Sequence, residues 1–303
     1  MAATVNTLLR VPTVLITGAT RGLGLAAAHA AAVRGARVLV AGRSPASVTA
    51  VARAVGGDPI VLDLERLDDV RDVSNALPPI DAVALNAGLQ VVTGATRTPD
   101  DFETTFQVNH LAQLALLDVL LERPAPPPRV VVVGSGTHDA ARRTGMPAPL
   151  DGDVGAWARA GDDGEAPGEA GRRRYTTSKL LNAATAAGLA REHPDIHVTC
   201  FDPGLMLATG LSRQYPPALR RLTAILAPGL ARVLSFASTP QASGLALSRL
   251  LLDDPPPAAS GAYVDFRLRT LPASERARDT GFQAAVLRDS RTLLGASFPS
   301  IPG

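Results

Sequence analysis

Short aliphatic runs punctuate the first half of the chain. Val14-Leu15-Ile16, Val38-Leu39-Val40, Ile60-Val61-Leu62, Ala82-Val83-Ala84-Leu85 and Val130-Val131-Val132-Val133 show no polar alternation, which predicts strands buried on both faces. Alanine-rich or amphipathic stretches fill the intervals, so the order of elements predicts βαβ units feeding a doubly wound parallel sheet. The longest helix of this half is expected from about residue 101 to 121, entered through Thr98-Pro99-Asp100 and ended by the prolines of 124–128.

Residues 137–173 are rich in Gly, Pro, Asp and Arg with little periodicity, and predict an irregular insertion over the carboxyl edge of the sheet. Regularity resumes with a helix over about 176–192 and a strand over 196–201. A proline-interrupted apolar region at 205–236 predicts a lid over a substrate, with Leu219, Leu222, Ile225, Leu226, Leu230 and Val233 as its apolar positions. A helix over 240–252, a strand at 262–266 and a helix near 280–294 complete one expected domain over 1–303. No internal repeat is visible.

Directly after the first aliphatic run stands Thr17-Gly18-Ala19-Thr20-Arg21-Gly22-Leu23-Gly24, followed by an alanine-rich helix. Glycines permit a tight turn and close backbone approach, and the amides and positive dipole end of the helix attract a pyrophosphate. Strand, glycines and helix in this order predict a dinucleotide site. The next strand ends in Ala41-Gly42-Arg43-Ser44, without the carboxylate that an NAD site would place against the ribose hydroxyls. Arg43, with Arg21 in the glycine turn, suits a ribose 2′-phosphate, so NADP(H) is the expected cofactor.

Tyr175 and Lys179 are four residues apart in Tyr175-Thr176-Thr177-Ser178-Lys179, so a helix projects both from one face. A tyrosine holds its proton to a pKa of about 10, and a neighbouring ammonium brings it toward useful acid–base strength. Lys179 is also the one lysine among 30 basic residues. The arginine-rich composition therefore keeps a compact, titratable ammonium at this position only.

The Gly-xxx-Gly-x-Gly turn and the Tyr-xxx-Lys pair resemble the short-chain dehydrogenase/reductase family, whose fold is of the Rossmann type. The resemblance covers nearly the whole chain in order: the glycine turn, Asn86-Ala87-Gly88, Asn109, Ser135, Tyr175 with Lys179, and Pro203-Gly204. It implies that Ser135 orients a substrate oxygen, Tyr175 donates the proton, and Lys179 lowers the tyrosine pKa and binds ribose. Asn109 would interrupt the long helix and help hold a water of the proton relay. It further implies that Asp63, with Leu64 beside it, meets the adenine, that Asn86-Ala87-Gly88 flanks the cofactor, and that Pro203, Gly204 and Thr209 lie near the nicotinamide. Thr209 follows Pro203 by a longer offset than the commoner pattern.

The long segment between Ser135 and Tyr175, His138 and the stretch Asp202–Leu211 are similar to the retinol dehydrogenase and protochlorophyllide reductase-like branch, which implies a large apolar substrate. Leu205 and Leu181 stand where the protochlorophyllide enzymes carry cysteines, which argues against light-driven chlorophyll chemistry. The expected activity is NADPH-dependent reduction of a lipophilic carbonyl compound, or the reverse oxidation. The alternative is an NADP(H)-binding sensor without turnover, and the intact tetrad argues against it. An extended-type sugar epimerase would need a larger C-terminal part.

Composition narrows the rest. The chain has 303 residues, 46% of them hydrophobic, enough for a substantial core. The one cysteine, Cys200, rules out internal disulfides and cysteine metal clusters, and no metal is expected. A net charge of +2 with scattered arginines excludes a nucleic-acid surface. With no run of eighteen uncharged apolar residues and no signal-like N-terminus, a cytoplasmic protein without stable membrane insertion is expected. Homo-oligomers are compatible with the pattern.

Overall fold

In a computed structural model, residues 11–206 and 236–297 are described. Thr209 and the apolar lid positions from Leu219 to Val233 lie outside the described residues.

The chain alternates β1 (Thr13–Thr17), α1 (Gly22–Val33), β2 (Arg37–Gly42), α2 (Pro45–Val55), β3 (Asp58–Val61), α3 (Leu67–Ala76) and β4 (Ala82–Leu85). Helix α4 then runs as Thr104–Phe106, a π-helical turn Gln107–Leu111 and Ala112–Leu121, and leads to β5 (Arg129–Val133). A 3-10 turn at Gly136–His138 and α5 (Val154–Trp157) precede α6 (Pro167–Glu192), β6 (His197–Asp202) and α7 (Pro240–Leu252). Strands β7 (Tyr263–Asp265) and β8 (Thr270–Leu271) and helices α8 (Glu275–Arg278) and α9 (Thr280–Ser297) follow.

The eight strands form one sheet in the order β3-β2-β1-β4-β5-β6-β7-β8, parallel except for the antiparallel pair β7 and β8. Because side chains alternate across a strand, each aliphatic run feeds two cores. Leu15, Leu39, Val83, Val130, Val132 and Cys200 face a core closed by α3, α4, α6 and α9. Val14, Ile16, Val38, Val40, Val131, Val133 and Phe201 face the other, closed by α1, α2 and α7. The chain order reverses between β1 and β4, and the crevice at such a switch point is where doubly wound sheets bind ligands.

Three expectations are corrected. β3 is not buried on both faces: Pro59 and Val61 are exposed, because β3 is the outer strand of the sheet. The long helix starts at Thr104 rather than near 101, since Glu103 is the residue whose carboxylate accepts the Phe106 amide at 2.7 Å. Thr98 and Asp100 act instead on Gln107, through its amide oxygen and nitrogen respectively.

The third correction concerns α6, which begins at Pro167 rather than near 176 and so takes in the end of the insertion. Pro167 opens the helix at a position where its missing N–H costs nothing. Buried Ala170, Gly171 and Arg174 pack the polar first turns, and tertiary contact overrides the glycine-rich composition there. The insertion is thus partly ordered into the Gly136–His138 turn, α5 and the start of α6.

Candidate functional site

The carboxyl ends of β1, β4, β5 and β6 bring the predicted residues together. Register does this directly: Ile16 pairs with Ala84, Leu85 with Val132, and Val133 with Phe201, so the loops that follow these strands start side by side.

Thr17 ends β1 and acts as a clamp. Its hydroxyl oxygen accepts the amides of Asn86 and Ala87, both at 2.9 Å, while the Asn86 side-chain amide donates to the Thr17 carbonyl at 2.7 Å. The glycine turn is thereby tied to Asn86-Ala87-Gly88. Gly18 has φ of 64°, and a Cβ there would come within 2.8 Å of the Ala87 Cα. A Cβ on Gly24 would strike the Gly18 carbonyl oxygen at 2.4 Å. Bare backbone is thus required at both positions, and the turn delivers the first amides of α1 to the crevice, where no intrahelical acceptor exists for them. Thr20, Arg21, Gly22 and Leu23 complete this turn as predicted.

At the end of β2, Arg43 is two-thirds exposed, and its guanidinium lies 2.5 Å from the Glu65 carboxylate. Asp63 does not stand free: its carboxylate accepts the Glu65 amide at 3.1 Å, an Asx turn after β3. Leu64 is buried, and its carbonyl accepts the Gln107 side-chain amide at 3.2 Å.

Asn109 sits fully buried in the π-helical turn of α4. Such turns often mark functional positions. Its oxygen accepts the Leu89 amide at 2.8 Å, and its nitrogen donates to the Leu89 carbonyl at 2.9 Å and to Ser178 Oγ at 3.0 Å. The side chain therefore holds the loop after Gly88 against α6.

Ser135, in extended backbone after β5, is partly buried and accepts hydrogen bonds from the Thr137 amide at 3.3 Å and the Thr137 hydroxyl at 3.1 Å. Tyr175 is buried on α6 with its hydroxyl close enough for Ser135 to act on it. Lys179, one turn further along α6, is buried, donates from Nζ to the Val133 carbonyl at 3.0 Å, and stands 5.6 Å from the centroid of the Tyr175 ring.

Burial, reinforced by the negative charge of Asp202, pushes the Tyr175 hydroxyl up to about 12, against a smaller lowering by Ser135. Burial lowers Lys179 to about 8, opposed by Cys200 and Asp202. The tyrosine is thus raised by its burial, and the Lys179 ammonium donates to a backbone carbonyl.

Several further residues, to which the sequence assigns no role, complete this centre. Asp202, the last residue of β6, accepts the Gly204 amide at 3.0 Å and the Tyr263 hydroxyl at 2.8 Å, and so shapes the Pro203-Gly204 turn. Arg142, from the insertion, approaches the same carboxylate at 3.9 Å and lies over the Tyr263 ring. His138 Nδ1 is 2.7 Å from the Ser135 carbonyl, and its Nε2 accepts the Ser274 amide at 3.0 Å. A carbonyl on one side and an N–H on the other select the neutral Nδ1–H tautomer, and burial lowers the pKa in agreement. His138 and Asp202 stand out in the sequence only through the family resemblance, and three-dimensional adjacency alone signals Arg142 and Tyr263.

Comparison with known proteins agrees with the geometry. The short chain dehydrogenase family matches residues 12–144. A candidate daunorubicin C-13 ketoreductase, DnrU, of Streptomyces sp. (strain C5) is 39% identical over 202 residues, 63% of this chain and 65% of that protein. A protochlorophyllide reductase of Avena sativa is 34% identical over 238 residues, 69% of this chain and 76% of that one. The crystal structure of an uncharacterised Mycobacterium paratuberculosis protein is 26% identical, covers 93% of this chain and 92% of its own, and superposes with a TM-score of 0.66.

The chain belongs to the short-chain dehydrogenase/reductase family, in its retinol dehydrogenase and protochlorophyllide reductase-like branch. Two solved structures of the same fold, at 21% and 20% identity, are complexes with NADPH and with NAD. The chain spans just under two thirds of the length of the Streptomyces relative. Among the described residues no helix is long and apolar enough to cross a membrane.

Proposed function

We propose that the protein is an NADPH-dependent reductase of a lipophilic small-molecule carbonyl compound, able to run in reverse as an alcohol dehydrogenase. The observation that carries this reading is the convergence of Ser135, Tyr175 and Lys179 at the carboxyl edge of the sheet, with Lys179 Nζ donating to the carbonyl of Val133 in the strand that ends just before Ser135.

The residues present fit a dinucleotide. Bare backbone at Gly18 and Gly24 and the amides opening α1 suit a pyrophosphate, Asn86-Ala87-Gly88 lines the path to Lys179, and Arg43 at the end of β2 suits a 2′-phosphate where a carboxylate would suit NAD. When bound, NADPH supplies the hydride. Ser135 would hold the substrate oxygen, and Tyr175 would hold the proton for it. A hydroxyl held at about 12 is protonated throughout the neutral range, so the site presents an acid, as reduction requires. Leu205 and Phe236 are exposed beside the Pro203-Gly204 turn, which supports an apolar substrate.

The test incubates small-molecule extract and NADPH with wild type or Tyr175→Phe, after both are shown to bind the cofactor. A two-hydrogen mass gain that depends on Tyr175 is expected and identifies the substrate. The same gain with Tyr175→Phe would refute the assigned acid. Cofactor binding without any mass change in either direction would favour the sensor.

A further inference from the structure

The guanidinium assigned to the 2′-phosphate already has an anionic partner within the chain. Arg43 and Glu65 meet because the ends of β2 and β3 are in register: Gly42 pairs with Val61, and the Leu62 amide donates to the Gly42 carbonyl at 3.1 Å. The turn after β3 is built to hold Glu65 in place. The Asp63 carboxylate accepts the Glu65 amide, the Asp63 amide donates to the Asp69 carboxylate at 2.7 Å, and the Arg66 amide donates to the Asp63 carbonyl at 3.2 Å. Buried Leu64 anchors the same turn to the core. The Glu65 side chain is 30% exposed and that of Arg43 is 67% exposed, so this pair stands at the surface of the crevice rather than inside it.

We propose that Glu65 limits cofactor selectivity as a competing counter-ion: its carboxylate occupies the Arg43 guanidinium, and a ribose 2′-phosphate binds there by displacing it. This inference rests on the NADP(H) reading. A phosphate offers more charge and a bidentate geometry to a guanidinium, so it displaces the carboxylate, but the gain is reduced by the pair that is lost. A cofactor without the 2′-phosphate leaves the pair intact and is indifferent to it. Glu65 therefore narrows the preference for the phosphorylated cofactor rather than creating it, and Asp63 is a positioning residue that presents Glu65.

The experiment is calorimetric titration of the intact protein with adenosine 2′,5′-bisphosphate and with 5′-AMP. Glu65→Gln and Glu65→Ala are each expected to bind the bisphosphate about two- to fivefold more tightly than wild type, the size an exposed ion pair can withhold, with 5′-AMP unchanged. The AMP arm also reports whether each variant is folded. Arg43→Ala is expected to narrow the advantage of the bisphosphate over AMP and to abolish the effect of the Glu65 variants.

If wild type prefers the bisphosphate through Arg43 but neither Glu65 variant tightens it, the competition is wrong and the NADP(H) reading stands. If the variants bind the bisphosphate more weakly, Glu65 orients Arg43 and the inference is overturned in sign. If wild type does not distinguish the two ligands, the NADP(H) reading fails and the inference with it.

Discussion

The Tyr263 hydroxyl donates to the Asp202 carboxylate at 2.8 Å, and this bond joins the ends of two neighbouring strands beside the acid of the proposed reaction. Asp202 raises Tyr175 by its negative charge, and it also supports the ammonium of Lys179. The same carboxylate faces Arg142, His138 and Cys200.

Replacing Asp202 by Asn keeps a group that can bond Tyr263 and removes the charge. The Tyr175 phenolate is then less disfavoured and the Lys179 ammonium less supported, so both pKa values fall. The alkaline limb of kcat/KM is expected to move to lower pH in Asp202→Asn, measured across pH 6 to 10 as a rough working range for such groups. Tyr263→Phe keeps the charge and should leave the limb in place. A stationary limb in Asp202→Asn would show that the carboxylate only supports the turn.

Arg174, next to Tyr175, lies 3.3 Å from Glu103 with both side chains 2% exposed, and it also bonds Asp162 at 2.8 Å. Arg174→Met would leave Glu103 buried without a counter-charge, at a cost of about 3–5 kcal/mol. Adding Glu103→Gln should restore most of that loss. Glu103 is raised by burial and lowered by Arg174, so the single variant raises it further. A carboxyl raised on folding favours the folded state at low pH and loses that contribution as pH rises through its folded pKa. The deficit of Arg174→Met should therefore shrink on acidification, as urea titrations at two pH values will show.

His110 is buried, its Nε2 lies 2.8 Å from Ser290 Oγ, and burial lowers its pKa to about 4. A histidine depressed on folding stabilises the fold above its unfolded value near 6.5 and loses that contribution as pH falls toward the folded value. The shift corresponds to about 2–3 kcal/mol by pH 4.5. His110→Gln removes the titration, so the stability gap between wild type and variant should change by roughly that amount between pH 7 and 4.5. An unchanged gap would mean that the imidazole is hydrated.

Asn109 satisfies both the amide and the carbonyl of Leu89. Asn109→Ala leaves these groups without their partner and is expected to cost about 2–4 kcal/mol, with dinucleotide affinity falling because the adjoining Gly88 loop loosens. Denaturant midpoints and cofactor titration check the two effects separately. A loss of turnover with both quantities intact would instead indicate a direct part in proton transfer.

Much of the fold is legible in the pattern of residues. Uninterrupted aliphatic runs mark strands that helices cover on both sides, and this holds for β1, β2, β4 and β5, whose interior positions are buried. The β3 run looks the same, and its place at the sheet edge depends on strand order, which no local pattern contains. The start of α6 was hidden for a related reason. Its first turns are polar and glycine-bearing, and their helical state depends on Arg174 finding Glu103 across the fold.

The sequence alone determined the class of chemistry, because glycines at a strand-to-helix turn and a tyrosine four residues before a lysine are local requirements that residue type and spacing can state. Tertiary structure alone decided the electrostatics. Asp202 meets Tyr263 across strands, Arg43 meets Glu65 across two turns, and Lys179 turns to the Val133 carbonyl. Charge and burial act through distance in space, and chain order does not encode those distances until the sheet has formed.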